Sequence, residues 1–572
     1  MGKHSAGAEA RRPVGAVVIV AILVVAGLAA AVFYLFRSTD EGPSTAAPGG
    51  TGTASSPSAQ ACPAGLDPVT VAVAPAMEGV VSAAARRVTD ADPCDTFSVT
   101  AADSSTVAKN LASGNGTTPA AWVPDSSVFI DSVRAAKPDV LAGDMEEFAT
   151  SPLVFAVPTP IAAKAGAALA SPSWSAFVSG DQTLPVRLPD PESTTSGRLL
   201  LLNAPTALGN SPAVRIALGR VLLAWTHSPM PKEQDLFAAA TTEQAGIFPT
   251  SEQAVASNLK VHPGTLAAVV PSEGTGRYTY SLVLASGIPD HATDALTALR
   301  TQLTNEAGKT DVKSAGFRVR DGGEQSGPGV PGIPSQVKYL PDPSVEQQAA
   351  LVKTWTGMKA DARMLALIDT SGSMREQEGD KTRMELAGEA AQTAVSIFPN
   401  SSQLGLWTFG LNKGGPGQDW RELVPIRQLD ESVDGKPQRQ VLTETLPGLL
   451  SSAGGGTGLY DSLLAAYQQM VSTYAPGRVN SVILLTDGRN EDPSGLTLEQ
   501  LLAKISQTKD PNKPVVIITV GMGQKVDTAA LTAVSALTGG KSYIALDPND
   551  IKQVFIDALL SRDCTGSTCT SR

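Results

Sequence analysis

Asp369-Thr370-Ser371-Gly372-Ser373 places one carboxylate and two hydroxyls at alternate positions of a short polar turn. The turn follows an apolar run, Met364–Ile368, that reads as a buried strand. Oxygen donors spaced this way on a turn leaving a strand can all face one crevice. Hard oxygens suit Mg²⁺, which prefers octahedral geometry and retains sites for water or for a partner's carboxylate. Two further segments carry matching chemistry. Gly454-Gly455-Gly456-Thr457-Gly458-Leu459-Tyr460-Asp461 is a flexible loop that opens a helix. Ser481–Leu485, followed by Thr486-Asp487-Gly488, is a second buried strand ending in a carboxylate.

The elements that must position these residues are legible as alternating patterns. Strand-like runs recur at Met364–Ile368, Leu404–Thr408, Val482–Leu485, Val515–Val520 and Tyr543–Leu546. Helical periodicity fills the intervals at Met384–Phe398, Arg439–Leu450, Leu459–Tyr474, Leu498–Ile505, Thr528–Leu537 and Ile551–Leu560. Strands alternating with helices imply a parallel sheet covered on both faces. In such a sheet ligands bind beyond the carboxyl ends of the strands, where Asp369 and Asp487 fall.

Taken in order, D-x-S-x-S, G-G-T-G-L-Y-D and L-L-T-D-G resemble a von Willebrand factor A domain with an intact metal-ion-dependent adhesion site, over about Lys359 to Arg562. The resemblance implies a doubly wound, Rossmann-like α/β fold. It also implies Ser371, Ser373 and Thr457 as oxygen ligands, with Asp369 and Asp487 neutralising the ion mostly through bound water. The cofactor implied is Mg²⁺, with Mn²⁺ or Ca²⁺ as substitutes. The partner implied is a protein offering an acidic group to the metal.

An earlier block of about 260 residues, Cys62 to Arg320, shows a second α/β order. It opens with the strand Val69–Pro75 and continues through Phe97–Val99, Ala120–Ser127, Pro152–Pro158, Leu266–Pro271 and Tyr280–Leu284. The return to apolar strands near its end predicts two α/β lobes that exchange strands. V-A-V-A-P, A-A-W-V-P-D-S-S, S-P-L-V-F-A-V-P, V-P-S-E-G-T and the closing Ala315-Gly316-Phe317 resemble a bacterial extracellular solute-binding protein of the two-lobed, periplasmic-binding-protein-like kind that includes oxyanion carriers. A hinged cleft closing on a small solute is the implied activity. Ser126, Ser127, Thr150 and Ser151 are the family-like polar positions. Thr194, Thr195 and Ser196 open a helix whose terminal amides could hold an anion. Capping of helices and turns is the competing role for each hydroxyl.

Around these blocks, residues 1–12 read as a cytoplasmic tail, 13–37 as a transmembrane anchor and 38–60 as a Pro/Gly/Ser/Thr-rich disordered linker. The solute-binding-like domain takes 61–320, a Gly/Pro-dense linker 321–345, the A domain 346–563 and a tail 564–572. Val14–Phe36 runs 23 residues without a charge, long enough to span a bilayer's hydrocarbon core. Lys3, Arg11 and Arg12 precede it, so the positive-inside rule predicts a single-pass protein of the cell membrane, N-terminus cytoplasmic and bulk extracellular. A cleaved signal peptide ending near Ala29-Ala30-Ala31 is the rival reading, although Val32–Phe36 prolongs the apolar run beyond an ordinary signal core. Four cysteines without neighbouring histidines suit disulfides Cys62–Cys94 and Cys564–Cys569 in an oxidising compartment.

A net charge of −11, with no Lys/Arg patch interleaved with aromatics, argues against nucleic-acid binding. Gly539-Gly540-Lys541-Ser542 imitates a phosphate loop, but Ser535 stands where the first glycine is required, and the segment runs helix to strand. Gly209-Asn210-Ser211-Pro212-Ala213 lacks the final glycine of a hydrolase elbow. The four histidines are scattered, and no catalytic constellation emerges; the expectation is a non-enzyme. The expected function is membrane-anchored adhesion or protein binding through the metal. The alternatives are an extracellular small-molecule sensor, for an anion among other solutes, and a transport-associated solute-binding protein.

Overall fold

A computed structural model of the protein describes residue 62 and residues 66–554, apart from 144, 170, 179–183, 210, 322–323, 548–549 and 552–553. Val14–Phe36, the 38–60 tract, Cys564–Cys569 and most of the expected 551–560 helix lie outside the described residues. Among the described residues no helix is long and apolar enough to cross a membrane. Cys62 and Cys94 are both disulfide-bonded.

The first domain is built on two sheets. One has strand order Phe97–Ala101, Val69–Val73, Ala121–Val123, Val283–Ala285, Leu141–Ala142. Its first three strands are parallel, and Val283–Ala285 runs antiparallel to them. The other centres on the long strand Glu147–Pro158, which is buried from Phe148 onward. Its first half pairs with Arg277–Ser281, and its second half pairs with Phe248–Ser251 and Leu266–Val269. The chain therefore passes between lobes at the start of Glu147–Pro158 and again between Arg277–Ser281 and Val283–Ala285. This is the exchange of strands expected of two lobes that share a hinge.

The second domain is a six-stranded sheet in the order Trp420–Gln428, Gln403–Phe409, Asp361–Asp369, Arg478–Thr486, Val515–Met522, Ser542–Ala545. Every pairing is parallel except at the Trp420–Gln428 edge. Burial on both faces explains the near-continuous apolar runs of its central strands. Ala362, Met364 and Ile368 enter one core, with the Arg383–Ile397 helix. Leu365 and Leu367 enter the other, with the Leu459–Ser472 and Leu498–Thr508 helices. The strand period of two thus feeds two separate cores from one segment. Successive connections from Asp361–Asp369 go first to one neighbour and then to the other side, so the crevice beyond its carboxyl end is a topological switch point.

The Gly/Pro-dense stretch between the domains is tied down along the first domain. Arg318, buried and paired with Glu252 through two bonds of 2.6 and 2.8 Å, also donates to the carbonyls of Ser335 and Pro334. Leu340 N donates to Thr275 O at 2.9 Å. A helix, Val345–Lys359, follows, opened by a capping box of Ser344 and Gln347. Its Trp355 and Met358 enter the core of the first domain, and one residue beyond its end the chain begins the central strand of the second. The sequence boundary at 346 assigned this helix to the second domain; its packing belongs to the first.

Candidate metal centre and solute cleft

The D-x-S-x-S turn and the second strand end meet as the spacing predicts. Asp369 is fully buried: its Oδ1 accepts Ser371 N at 2.8 Å and its Oδ2 accepts Thr486 Oγ1 at 2.6 Å. Ser371 Oγ and Ser373 Oγ lie 3.1 Å apart, and Ser373 Oγ donates to Asp487 Oδ1 at 2.8 Å. Asp487 Oδ2 accepts Arg383 Nη1 at 2.9 Å. Burial, with the Asp487 charge adding to it against the Thr486 and Ser371 hydrogen bonds, pushes the Asp369 carboxyl up to about 6.

The glycine loop completes the crevice. Gly372 N donates to Gly455 O at 2.8 Å and Gly454 N to Thr370 O at 2.9 Å, stitching loop to turn. Gly454 and Gly455 take φ of 149° and 81°, a backbone that L side chains rarely adopt. A β-carbon on Gly458 would fall 2.1 Å from Asp419 Oδ2, so the loop can pass there only as glycine. Thr457 is held from behind: its N–H donates to Glu491 Oε2 at 3.2 Å, and its carbonyl accepts Glu491 N at 2.8 Å. Thr457 Oγ1 faces Gly488, 3.4 Å from where a β-carbon there would sit. Asn490 Oδ1 accepts Leu459 N at 2.9 Å, capping the helix that follows.

The donor set, two hydroxyls beside two buried carboxylates, has the hard oxygen chemistry that suits a divalent cation. Arg383, Thr486, Asn490 and Glu491 were not among the residues anticipated from sequence. A cue existed for the first: Thr382-x-x-Glu385 is a capping box that starts the Arg383–Ile397 helix and so aims Arg383 back at the crevice.

Nearby, Asp419, Asp461 and Asp492 bring one carboxylate oxygen each within 4.8 Å of one another. All three also serve local backbone donors: Asn412 N, Leu496 N and Ser494 N, respectively.

In the first domain a cleft of about 580 Å³ has walls that include Asp103, Asp125, Glu233, Tyr278 and Tyr280. Of the seven hydroxyl residues anticipated, Thr194 and Thr195 line it; Ser126, Ser127, Thr150, Ser151 and Ser196 are not part of its lining. Their placements are those of structural groups. Ser126 Oγ accepts Val128 N as a helix cap, Thr194 Oγ1 accepts Gly197 N, and Ser151 Oγ accepts Gln253 N. Ser127 N donates to Thr279 Oγ1, and Ser196 Oγ donates to Glu233 Oε2 at 2.8 Å. Thr150 Oγ1 is buried and without a hydrogen bond among the described residues. Burial raises the carboxyls of Asp125 and Glu233 above the usual range, against hydrogen bonds from nearby hydroxyls.

The helix between the domains is pinned at its end to the first domain. Lys359 Nζ lies 3.0 Å from Asp190 Oδ1 and 2.8 Å from Glu192 Oε2, on the segment leading into Thr194 and Thr195. Thr356 Oγ1 donates to Glu192 Oε1 at 2.6 Å.

Comparisons with known proteins agree with this division. A family model for bacterial extracellular solute-binding protein matches residues 69–318, and one for von Willebrand factor type A domain matches residues 364–556. The chain is 28% identical over 583 residues to an uncharacterized protein of Mycobacterium tuberculosis strain H37Rv, covering 94% of this chain and 82% of that protein. A stretch of 216 residues is 24% identical to calcium-activated chloride channel regulator 1 of Bos taurus, covering 37% of this chain and 21% of that one. Similar solved structures include a von Willebrand factor type A protein from Catenulispora acidiphila, at 22% identity and a TM-score of 0.28, covering 35% of this chain and 42% of that chain. They also include the periplasmic binding protein AfuA from Actinobacillus pleuropneumoniae, at 14% identity and a TM-score of 0.40, covering 50% and 97%. The chain therefore joins a bacterial extracellular solute-binding domain, residues 69–318, to a von Willebrand factor type A domain, residues 364–556.

Proposed function

We propose that this protein is an extracellular adhesion or binding protein whose type A domain holds Mg²⁺ or Mn²⁺ and, through it, captures an acidic side chain of a protein partner. The observation that carries this reading is the convergence of Asp369, Ser371, Ser373 and Asp487 on one crevice, with both carboxylates fully buried and Ser373 Oγ within hydrogen-bond reach of Ser371 Oγ and Asp487 Oδ1. Ser371, Ser373 and Thr457 would hold the cation with neutral oxygens, while Asp369 and Asp487 would supply charge mostly through water. When bound, the cation supplies Lewis acidity toward a carboxylate. Neutral hydroxyl ligands leave more of its charge for that incoming group than a cage of carboxylates would. Binding, not catalysis, is the role assigned. In this reading Val14–Phe36 anchors the chain in the cell membrane and holds both domains outside.

The test is calorimetric titration of Mg²⁺ and Mn²⁺ into the purified protein and its Asp369→Ala variant, followed by partner capture with Mg²⁺ and with chelator. The reading expects cation heat in the wild type alone and capture only with the metal. Equal cation affinity in both proteins would reduce the type A domain to a scaffold.

A second reading, in which the cleft senses a solute and the type A domain reports it, is favoured by one contact. Lys359 grips the Asp190–Glu192 segment beside the cleft and is two residues from the strand that ends in Asp369. A solute that alters the cation affinity of the type A domain would establish it.

A further inference from the structure

The cleft of the solute-binding domain carries an excess of negative charge. Asp103, Asp125, Asp190 and Glu233 line it, and Lys232 is the one basic side chain among its lining residues. Asp190 is answered by Lys359 at 3.0 Å; the other three acids have no ion pair among the described residues. Asp125 Oδ1 is buried and has no hydrogen-bond partner among the described residues, while the Ser104 and Thr195 hydroxyls lie beside the same carboxyl. A buried carboxylate oxygen in that state is unfavourable until a donor reaches it. Glu233 spends both oxygens on hydroxyls, Thr250 and Ser196, so its charge is solvated but not neutralised. Tyr278 and Tyr280, 5% and 2% exposed, add aromatic walls close enough to feel both acids. Aromatic faces and carboxylates together suit an organic cation.

The opposing consideration is the set of helices Ser104–Ser113, Thr195–Leu208 and Glu252–Val261, which begin at this cleft and whose dipoles favour an anion. Several of their leading amides are already taken: Gly197 N by Thr194 Oγ1, Ala254 N by Ser251 Oγ and Gln253 N by Ser151 Oγ. Asp103 sits on the first of these termini as its N-cap residue, and its side chain accepts no capping hydrogen bond. Whole carboxylate charges inside the cleft outweigh partial charges at its rim, and an oxyanion without a proton to donate has nothing to offer Asp125.

We propose that the cleft takes a cationic, amine-bearing small solute, its ammonium group donating to Asp125, with Glu233 as the second counter-charge and Tyr278 and Tyr280 as walls. The assignment is independent of the metal reading, because chelator removes the cation from the type A domain without touching the cleft.

The experiment is calorimetry on the full chain in chelator, with spermidine, L-arginine and L-lysine as amine probes and sulfate and molybdate as oxyanion probes. Saturable binding is expected from at least one amine and from neither oxyanion. Asp125→Asn should weaken the amine by roughly tenfold, the loss of a charged hydrogen-bond partner. Asp103→Asn removes an exposed charge that caps nothing, so the fold is retained. It should weaken binding by a smaller factor that shrinks as salt rises. Sulfate or molybdate binding without any amine, amine binding equal in wild type and both variants, or silence from all three amines would each overturn the assignment.

Discussion

Arg383 sets its guanidinium 2.9 Å from Asp487 Oδ2 while Asp487 Oδ1 accepts the Ser373 hydroxyl, so one carboxylate joins a hydroxyl of the metal set to a cation of the protein's own. Glu376 shares the same Nη1 at 2.9 Å, and Glu378 holds Nη2 at 2.7 Å. The arrangement neutralises a fully buried carboxylate before any metal arrives. It also sets two positive charges, guanidinium and metal, on a single acid when one does.

Arg383→Gln should therefore act differently with and without the cation. Removing one partner of a buried pair destabilises the cation-free protein by about 3 kcal/mol. Mg²⁺ supplies the missing charge, so its stabilising shift should be larger in the variant than in the wild type. Thermal melts in Mg²⁺ and in chelator measure both shifts. Equal shifts would mean that Arg383 is a structural counter-ion with no bearing on the metal.

Asp369 invites the opposite experiment. Its carboxylate is buried beside Asp487, and burial already raises its pKa to about 6. Asp369→Asn keeps the shape and removes the charge, so in chelator the variant should melt no lower than wild type while its Mg²⁺ affinity is lost. Thr457→Ala deletes one loop oxygen without touching the Glu491 bonds to its backbone. It should weaken the cation by roughly tenfold, the scale of one lost hydrogen-bonding oxygen on a charged group. A large drop in chelator melting for either variant would show that these residues hold the fold instead of the ion.

The candidate cation-binding residues were legible because their chemistry lies in short spacings: two strand ends and a glycine loop, each placed by local pattern. Asp369, Ser371, Ser373, Thr457 and Asp487 needed only the alternation of strands and helices to bring them together. Arg383 was not legible in this way. The Thr382-x-x-Glu385 capping box marks where its helix starts, but the hairpin of Gln377–Glu378 with Lys381–Thr382 that folds the chain back before it has no such signature. The Trp420–Gln428 edge strand was missed because it mixes charges with a proline and buries only Val424 well. The Gly/Pro-rich stretch reads as a free linker by composition, yet the Arg318 bonds to Pro334 and Ser335 that dock it are made to backbone carbonyls, which carry no sequence signature. In the cleft, the hydroxyls were legible as caps or ligands, whereas the excess of acids was not, since Asp103, Asp125 and Glu233 come from three distant segments.

Lys359 offers a test of communication between the domains. Its ammonium bridges Asp190 and Glu192, and Lys359→Ala leaves two partly buried carboxylates without their shared cation. A loss of about 1–2 kcal/mol is expected. If the cleft and the type A domain share this lever, the variant should also lose any dependence of Mg²⁺ affinity on the solute. Calorimetry of Mg²⁺ binding with and without a bound amine would read the coupling. Unchanged coupling in Lys359→Ala would exclude this contact as its route.

At the opposite end of the central strand from Asp369, Asp361 supplies a pH-dependent contact between the domains. His227 Nε2, from the first domain, lies 3.4 Å from Asp361 Oδ1, and Arg478 Nη1 lies 3.5 Å from Oδ2. The His227 imidazole beside it, helped by Ser401 and Arg478 and opposed by burial, holds the carboxyl below its ordinary 3.8. The folded protein thus sheds this proton more readily than the unfolded chain does. The group adds stability above pH of about 4, and that contribution is lost as pH falls through the lower folded value. Asp361→Asn should cost on the order of 1 kcal/mol at neutral pH, a difference that closes under strongly acidic conditions. Urea denaturation of both proteins at neutral pH and near pH of about 3 would measure it. An equal deficit at both values would assign the effect to packing at the domain junction and remove the charge of Asp361 from the account.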